Sequence, residues 1–341
     1  MQNKTLVAKT LHGLEEVLAA EIKSIGGTDI SILKRAVSFK GDKELLYKSN
    51  IWLRTALRIL YPIREFTFRT QDDFYKQIKK IAWDSYMSHD GTLAIDAVVN
   101  SKIFNHSKYV ALLAKDAVVD YFKNNYGIRP NVDTKRPDLR IHVHISENKC
   151  NLSLDSSGDP LFMRGYRNGK HETPLNEVLA AGMVLLSGWD KKSTFVDPMC
   201  GTGTLGIEAA MIAHNVPPSI IREHFAFLNW KDYDEELFLR LRRQNWDIAE
   251  SPQIICSDIS PVYSRMAKAA AKRLGIGNAV KCFTKDFEKL NFIEEKGEGM
   301  IMMNPPYGER IEIEDIMDLY SMIGSRLKHE WPGYNSWVLT N

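Results

Sequence analysis

The chain reads as an α/β protein, with a doubly wound parallel sheet in its C-terminal half and two smaller α+β units in front. Three observations predict this. From residue 194 onward, short apolar runs alternate with stretches of helical periodicity, the pattern of a parallel sheet. The first 68 residues run strand, helix, strand, strand, helix, strand, the order of a ferredoxin-like unit. Charge divides along a similar line: residues 1–150 carry 24 Lys+Arg against 17 Asp+Glu, and the remainder carries 21 against 26. A basic front half suits a polyanionic partner, although a solvated basic surface accounts for an excess of that size equally well.

Composition narrows the class. At 341 residues the chain is long enough for two or three domains, and 44% hydrophobic with 26% charged residues is the balance of a globular protein. No apolar run approaches the length that spans a bilayer. Residues 1–10 lack the apolar core and small-residue cleavage site of a signal peptide. The four cysteines, Cys150, Cys200, Cys256 and Cys282, are far apart with no CxxC pair. That spacing points to reduced thiols in a cytoplasmic protein and away from zinc.

In chain order, residues 4–10 read as a strand. Residues 13–27 read as a helix carrying Leu14, Val17, Leu18 and Ile22 on one stripe and stopped by Gly26-Gly27. Strands follow at 30–33 and 36–40, then a helix through Leu45, Leu46 and Trp52, then an extended apolar run over 56–68. A second unit opens near residue 70 with an amphipathic helix over 72–83 and an alternating strand over 92–99. A long helix over 107–125, a loop at 129–133 and strands at 139–145 and 150–154 complete it. Arg140, His142 and His144 share one face of the first of these last two strands. Two histidines without a third ligand read as a polar sheet face. Expected domains are therefore 1–68, 69–160 and 161–341.

The segment Arg164-Gly165-Tyr166-Arg167 leads into the third domain. Arginines around an aromatic suit phosphate and base contacts; a hinge packed between domains suits the same residues. Pro174 is expected in the first turn of a helix over 175–186. The strand at 194–196 runs into the loop Asp197-Pro198-Met199-Cys200-Gly201-Thr202-Gly203-Thr204 and a helix over 205–213. The glycines allow tight turning and close approach of backbone to a ligand, and the helix start favours an anionic group such as a carboxylate. No Gly-Lys-Ser/Thr follows, so the loop is not a Walker loop, and the full GxGxxG fingerprint is absent. An insertion over 215–251 carries Phe225, Phe227, Trp230, Tyr233, Phe238 and Trp246, with Arg240, Arg242 and Arg243 in its second part. It reads either as a lid or RNA contact, or as two packed helices with a charged outer face. The strand at 254–258 ends in Asp258, placed to accept from ribose hydroxyls or to cap the helix over 261–274. Further strands at 279–283, 299–303 and 337–339 follow, with Asp286-Phe287 after the first and a helix over 316–329 before the last.

The strand at 299–303 stops abruptly in Asn304-Pro305-Pro306-Tyr307. Neither proline donates a ladder bond, and each has a fixed φ. The Asn304 side chain and the neighbouring carbonyls are thus held at a strand's C-terminal edge, where open α/β sheets bind ligands. Asn304 and a proline carbonyl both accept hydrogen bonds from an NH2 group, and Tyr307 offers a flat ring beside them. Together they describe a pocket for a planar amino group.

The series Asp197–Gly203, Asp258, Asp286-Phe287 and Asn304–Tyr307 resembles that of class I S-adenosylmethionine-dependent methyltransferases acting on amino groups. The front half resembles a ferredoxin-like unit followed by a THUMP domain, an RNA-binding module. With Arg164–Arg167 and residues 304–310 included, the whole chain resembles the bacterial 23S rRNA guanine-N2 methyltransferase family. The resemblance implies a Rossmann-like class I methyltransferase sheet and S-adenosyl-L-methionine as cofactor. Its methionine portion is expected along Asp197, Pro198, Met199, Cys200, Gly201 and Gly203, with Thr173 and Pro174 lining that end. Asp258 is expected to hold the ribose, Asp286 to accept from the adenine amine and Phe287 to pack on its ring. Asn304 Oδ1 and the Pro305 carbonyl are expected to accept the two N–H bonds of a guanine N2 in 23S rRNA, beside Pro306 and a stacking Tyr307. The resemblance also implies seven strands, so the last are expected to be missing after Asn341. Asn-Pro-Pro-Tyr is shared with adenine and protein-amide methyltransferases. A tRNA guanine, an RNA adenine N6 or a protein amide therefore stays open as the acceptor, as does a non-catalytic RNA-binding assembly factor.

Overall fold

The computed structural model describes residues 3–167, 175–243, 252–291, 298–306 and 313–340. The chain divides into two compact units, Met1–Leu161 with Arg222–Arg243, and Phe162–Ile221 with Gln244–Asn341.

The first unit opens with β1 (Lys4–Lys9), α1 (Glu15–Ser24), β2 (Thr28–Leu33), β3 (Ala36–Gly41), α2 (Lys43–Trp52) and β4 (Arg58–Thr67). Asp42 caps α2 by accepting from the Leu45 N–H (2.9 Å), which fixes where the helix begins. Next come α3 (Gln71–Lys79), capped by Thr70, β5 (Thr92–Asn100) and α4 (Ser107–Tyr126). Gly127 ends α4 in the left-handed conformation, φ 72°. Last are β6 (Asn131–Val132), β7 (Leu139–Ser146) and β8 (Lys149–Asp155). The short β6 lies where a loop is expected; it pairs with β5 at Thr92 and Leu93 only.

All eight strands form one sheet in the order β2-β3-β1-β4-β8-β7-β5-β6. The first four follow the expected split βαβ order. The residue-68 boundary falls at the end of β4, and β4 belongs to both halves. Its start pairs antiparallel with β1 (Val7 opposite Leu60), and its later residues pair with β8 (Tyr61 opposite Leu154). One core runs beneath the sheet, from Leu18, Phe39 and Leu46 to Phe74, Trp83, Val118 and Phe122.

Residues 222–243 of the insertion also belong to this unit. Tyr47 of α2 stacks on Phe227 (centroids 4.4 Å, 20°), Phe225 stacks on Phe227, and Phe238 meets all three rings edge-on. These aromatics are core, which removes them as a lid or RNA-stacking surface. Among its described residues the segment holds a 3-10 turn (Ala226–Asn229) and one α-helix, α7 (Glu235–Arg242); Trp246 lies outside the described residues.

The second unit contains α5 (Glu177–Leu186), β9 (Thr194–Asp197), α6 (Thr204–Ala213), β10 (Ile254–Asp258), α8 (Pro261–Arg273), β11 (Val280–Thr284), β12 (Gly299–Met303), α9 (Ile313–Glu330) and β13 (Tyr334–Val338). The first of these helices starts at Glu177, because Asn176 caps it by accepting from the Val178 and Leu179 N–H groups. Pro174 lies outside the described residues. The five strands form a parallel sheet in the order β11-β10-β9-β12-β13. Strand order proceeds one way from β9 to β11 and the other way from β12 to β13. The switch point therefore falls between β9 and β12, and that crevice is where such sheets bind ligands. Among the described residues no helix is long and apolar enough to cross a membrane.

Candidate active site

A cavity of about 470 Å³ opens at the C-terminal ends of these strands. The loop after β9 is fixed to the end of β10. The Cys200 N–H donates to the Ser257 carbonyl (2.9 Å), the Gly201 N–H to Asp258 Oδ2 (2.8 Å) and the Ser257 hydroxyl to the Pro198 carbonyl (3.3 Å). Asp258 Oδ1 also accepts from the Ser260 N–H (2.8 Å). This carboxylate therefore orients both the glycine loop and the entry to α8, while two oxygens with about four acceptor sites leave room for further donors.

Gly203 is the N-cap of α6 at φ 83°, and a Cβ there would lie 2.7 Å from the Ala267 Cβ of α8. Two reasons thus require glycine at this position: its backbone conformation and its contact with a neighbouring helix. Gly201 is also left-handed, at φ 52°, with open space around it.

Asp197, at the end of β9, is 1% exposed, and its Oδ1 has no hydrogen-bond partner among the described residues. Burial drives its carboxyl well above the usual range against the pull of the Met199 N–H, and Asp258 adds repulsion. Asp286 accepts from the Glu288 N–H (3.0 Å) and starts the 3-10 turn Phe287–Lys289; Phe287 is buried beside it. Asn304 leaves the tip of β12 with its Oδ1 buried and without a partner among the described residues. An unpaired buried acceptor costs about 1–3 kcal/mol, so this oxygen is poised for a donor that no described residue supplies.

Asp197, Pro198, Met199, Cys200, Gly201, Asp258, Asp286, Phe287, Asn304 and Pro306 all line this one cavity. Gly203 and Pro305 stand beside it in the chain. Thr173, Pro174 and Tyr307 lie outside the described residues. Sequence reasoning missed Ile259, Tyr263, Glu288, Leu319 and Met322 of the lining. Ile259, 70% exposed directly after Asp258, carried the one available signal, a large apolar residue following a strand-end acid.

Arg164 and Tyr166 of the motif Arg164–Arg167 are buried, which removes them as the expected phosphate and base contact. The Arg164 and Glu208 side chains are both fully buried and pair at 3.3 Å, and Tyr166 is 2% exposed. Arg167 donates to the Leu175 carbonyl (2.7 Å) and the Thr204 hydroxyl (2.5 Å), and it pairs with Glu177 at 3.3 Å. The motif is thus scaffolding behind α6 and the cavity wall.

Residues 164–340 match the RMKL-like methyltransferase domain. The chain belongs to that methyltransferase family. Residues 68–155 match the THUMP domain and 5–60 the RlmL ferredoxin-like domain, so the α+β sheet in front of the methyltransferase domain combines those two modules. The chain is 36% identical over 340 residues to the ribosomal RNA large subunit methyltransferase K/L of Syntrophotalea carbinolica, covering 96% of this chain and 48% of that protein. It therefore spans about half the length of the curated relative it matches. Among solved structures, a predicted N6-adenine-specific DNA methylase from Listeria monocytogenes superposes with TM-score 0.88 at 28% identity, covering 100% of this chain and 90% of that one. The SMU.472 structure, complexed with SAH, gives TM-score 0.85 at 28% identity, covering 99% and 89%.

Proposed function

We propose that this methyltransferase transfers a methyl group from S-adenosylmethionine to the exocyclic N2 amine of a guanine in 23S ribosomal RNA. The observation that carries the reading is Asn304 Oδ1, buried and without a partner at the tip of β12, in the same cavity as Asp197 and Asp258. The rRNA methyltransferase K/L relative and the THUMP domain support RNA as the substrate class, and the relative supports the large-subunit RNA. The thiols described are free, which suits the cytoplasmic location that belongs to the same proposal.

The residues present fit the cofactor. The cavity falls within the range of about 300–1,000 Å³ typical of small-molecule sites. Asp197 offers an ammonium group a buried carboxyl whose Oδ1 has no partner among the described residues, Asp258 and Asp286 offer acceptors to hydroxyl and amine donors, and Gly203 keeps the loop close to α8. Bound there, S-adenosylmethionine supplies an electrophilic sulfonium methyl.

The chain's own part is to position the amine. A guanine N2 lone pair is delocalised into its ring and is a poor nucleophile. Asn304 Oδ1 and the Pro305 carbonyl accept its two N–H bonds, which orients the lone pair and favours the positive charge that develops on nitrogen. The target base leaves its stack to reach them, and Tyr307 takes its face. Alignment of nitrogen, methyl and sulfur supplies the remaining rate gain. The amine proton leaves after transfer, so no strong base is needed at Asn304.

Incubation with labelled S-adenosylmethionine and unmodified large-subunit rRNA, followed by nucleoside mass spectrometry, tests the reading. N2-methylguanosine is expected. N6-methyladenosine would replace the base while keeping the mechanism. Transfer to tRNA alone would replace the substrate. Absence of cofactor binding would overturn the enzyme itself.

A further inference from the structure

The first unit carries a second hollow, of about 100 Å³, with no part in the methyl-transfer cavity. Three turns distant in sequence build it: 135–137 before β7, 157–159 after β8, and 224–229 of the inserted segment. Arg222 fastens two of these together. Its Nη2 donates to the Ser157 (2.9 Å) and Asp159 (2.7 Å) carbonyls, its Nη1 to the Pro160 carbonyl (2.9 Å) and its Nε to the His224 carbonyl (2.8 Å). The turns also meet closely, since a Cβ at Gly158 would lie 3.2 Å from the Ala226 nitrogen. The hollow is therefore a fixed feature of the fold.

Its chemistry is cationic. The Arg140 side chain is only 10% exposed, with Nη1 donating to Asp96 (3.0 Å) and Nη2 to the Thr134 carbonyl (2.9 Å). Its Nε is buried with no partner among the described residues, and the side chain contributes to the lining. Lys135 and Arg136 stand exposed at the rim. Their backbone N–H groups both donate to Asp133 Oδ1 (2.8 and 3.0 Å), which fixes where the two side chains emerge. Against these three permanent cations the lining holds one carboxylate, the exposed Asp159. The volume is well below the roughly 300 Å³ at which small-molecule sites begin. It suits one tetrahedral anion rather than a nucleoside, and guanidinium and ammonium groups are strong donors to anionic oxygens.

We propose that this hollow binds one backbone phosphate of the RNA strand, with the Arg140 side chain in its wall and Lys135 and Arg136 as its rim. The proposal rests on the RNA-methyltransferase reading. It adds a fixed phosphate anchor, one wall of which is made by a segment inserted in the methyltransferase domain.

The test measures RNA affinity of the full chain by fluorescence anisotropy across a salt series, for wild type and for the K135A/R136A variant, with cofactor affinity as the control for folding. Affinity is expected to fall about tenfold. The slope of log affinity against log salt is expected to flatten by about 0.7–0.9 per lost contact, with cofactor affinity unchanged. Equal affinity and equal slope in a wild type and variant that both bind RNA would overturn the anchor and leave the methyltransferase reading standing. A wild type that binds cofactor but no RNA would overturn the RNA reading, and the anchor with it. Titration with inorganic phosphate distinguishes the remaining source. If phosphate raises the melting temperature of wild type but not of the variant, while RNA affinity is the same in both, the hollow serves free phosphate and the RNA anchor is wrong.

Discussion

His142 shows how one side chain on the RNA-module sheet sets a pH dependence. It sits on β7 between Asp96 of β5 and Ser153 of β8. Burial lowers its imidazole from the ordinary value to about 4, and the charges of Lys9, His144 and Arg58 push the same way against Asp96. The unfolded chain takes up this proton near pH 6.5 and the folded chain does not, so stability is complete above about pH 6.5 and falls as pH drops toward 4. Denaturant unfolding should lose on the order of 2 kcal/mol across that window, and His142→Gln should remove that part of the loss. An unchanged pH profile in the variant would refute the assignment. The sequence placed His142 and His144 on one face by alternation alone. It carried no sign of how deeply His142 is buried or of the Lys9 and Arg58 charges that act on it, because those residues lie far away in the chain. Arg164 is the same lesson in reverse. Its partner Glu208 lies 44 residues on, and only the fold turns an apparent phosphate contact into a buried ion pair.

At the scale of elements, the loop joining β9 to α6 makes the sharpest distinction between two glycines. Gly203→Ala must adopt φ 83° and also drive a methyl to 2.7 Å from the Ala267 Cβ, whereas Gly201→Ala meets only the left-handed backbone with nothing near it. Gly201→Ala should cost about 1–2 kcal/mol of stability. Gly203→Ala should cost more, by about 1–3 kcal/mol of overpacking, and should weaken cofactor binding by displacing α8. Unfolding and calorimetric titration of the two variants check this; equal tolerance of both would contradict the packing argument. The glycine loop, the strand-end acids and the Asn-Pro-Pro stop were all legible, because each is encoded within a few residues. The start of α5 was not, because Asn176 caps the helix and begins it at Glu177 rather than at the expected Leu175. The walls contributed by Leu319 and Met322 were not legible either, since helix-spaced apolar residues read the same facing a core or a cavity.

At the scale of the molecule, the main departure from expectation is that the two front modules share a single sheet and take in a segment of the chain that follows α6. The pairing of β4 with β8 joins residues some 90 positions apart, and local patterning has no way to encode such a partner. The insertion's aromatics could be counted in advance but not placed. Phe227 is fully buried and stacked on Tyr47, so Phe227→Ala should destabilise the first unit by about 3–5 kcal/mol. Limited proteolysis should then cut within 222–243 ahead of the second unit. Wild-type stability in the variant would mean that the segment merely rests on α2.

Asn304 is the acceptor that positions the amine in the proposed reaction. The most direct test compares wild type with Asn304→Ala in two readouts, cofactor affinity by calorimetry and methyl transfer in a single turnover. Cofactor affinity is expected within about twofold and transfer slowed by about 10²–10³, the loss typical of removing one preorganised group that stabilises transition-state charge. Transfer that survives the substitution, or cofactor binding lost together with it, would contradict the role given to Asn304.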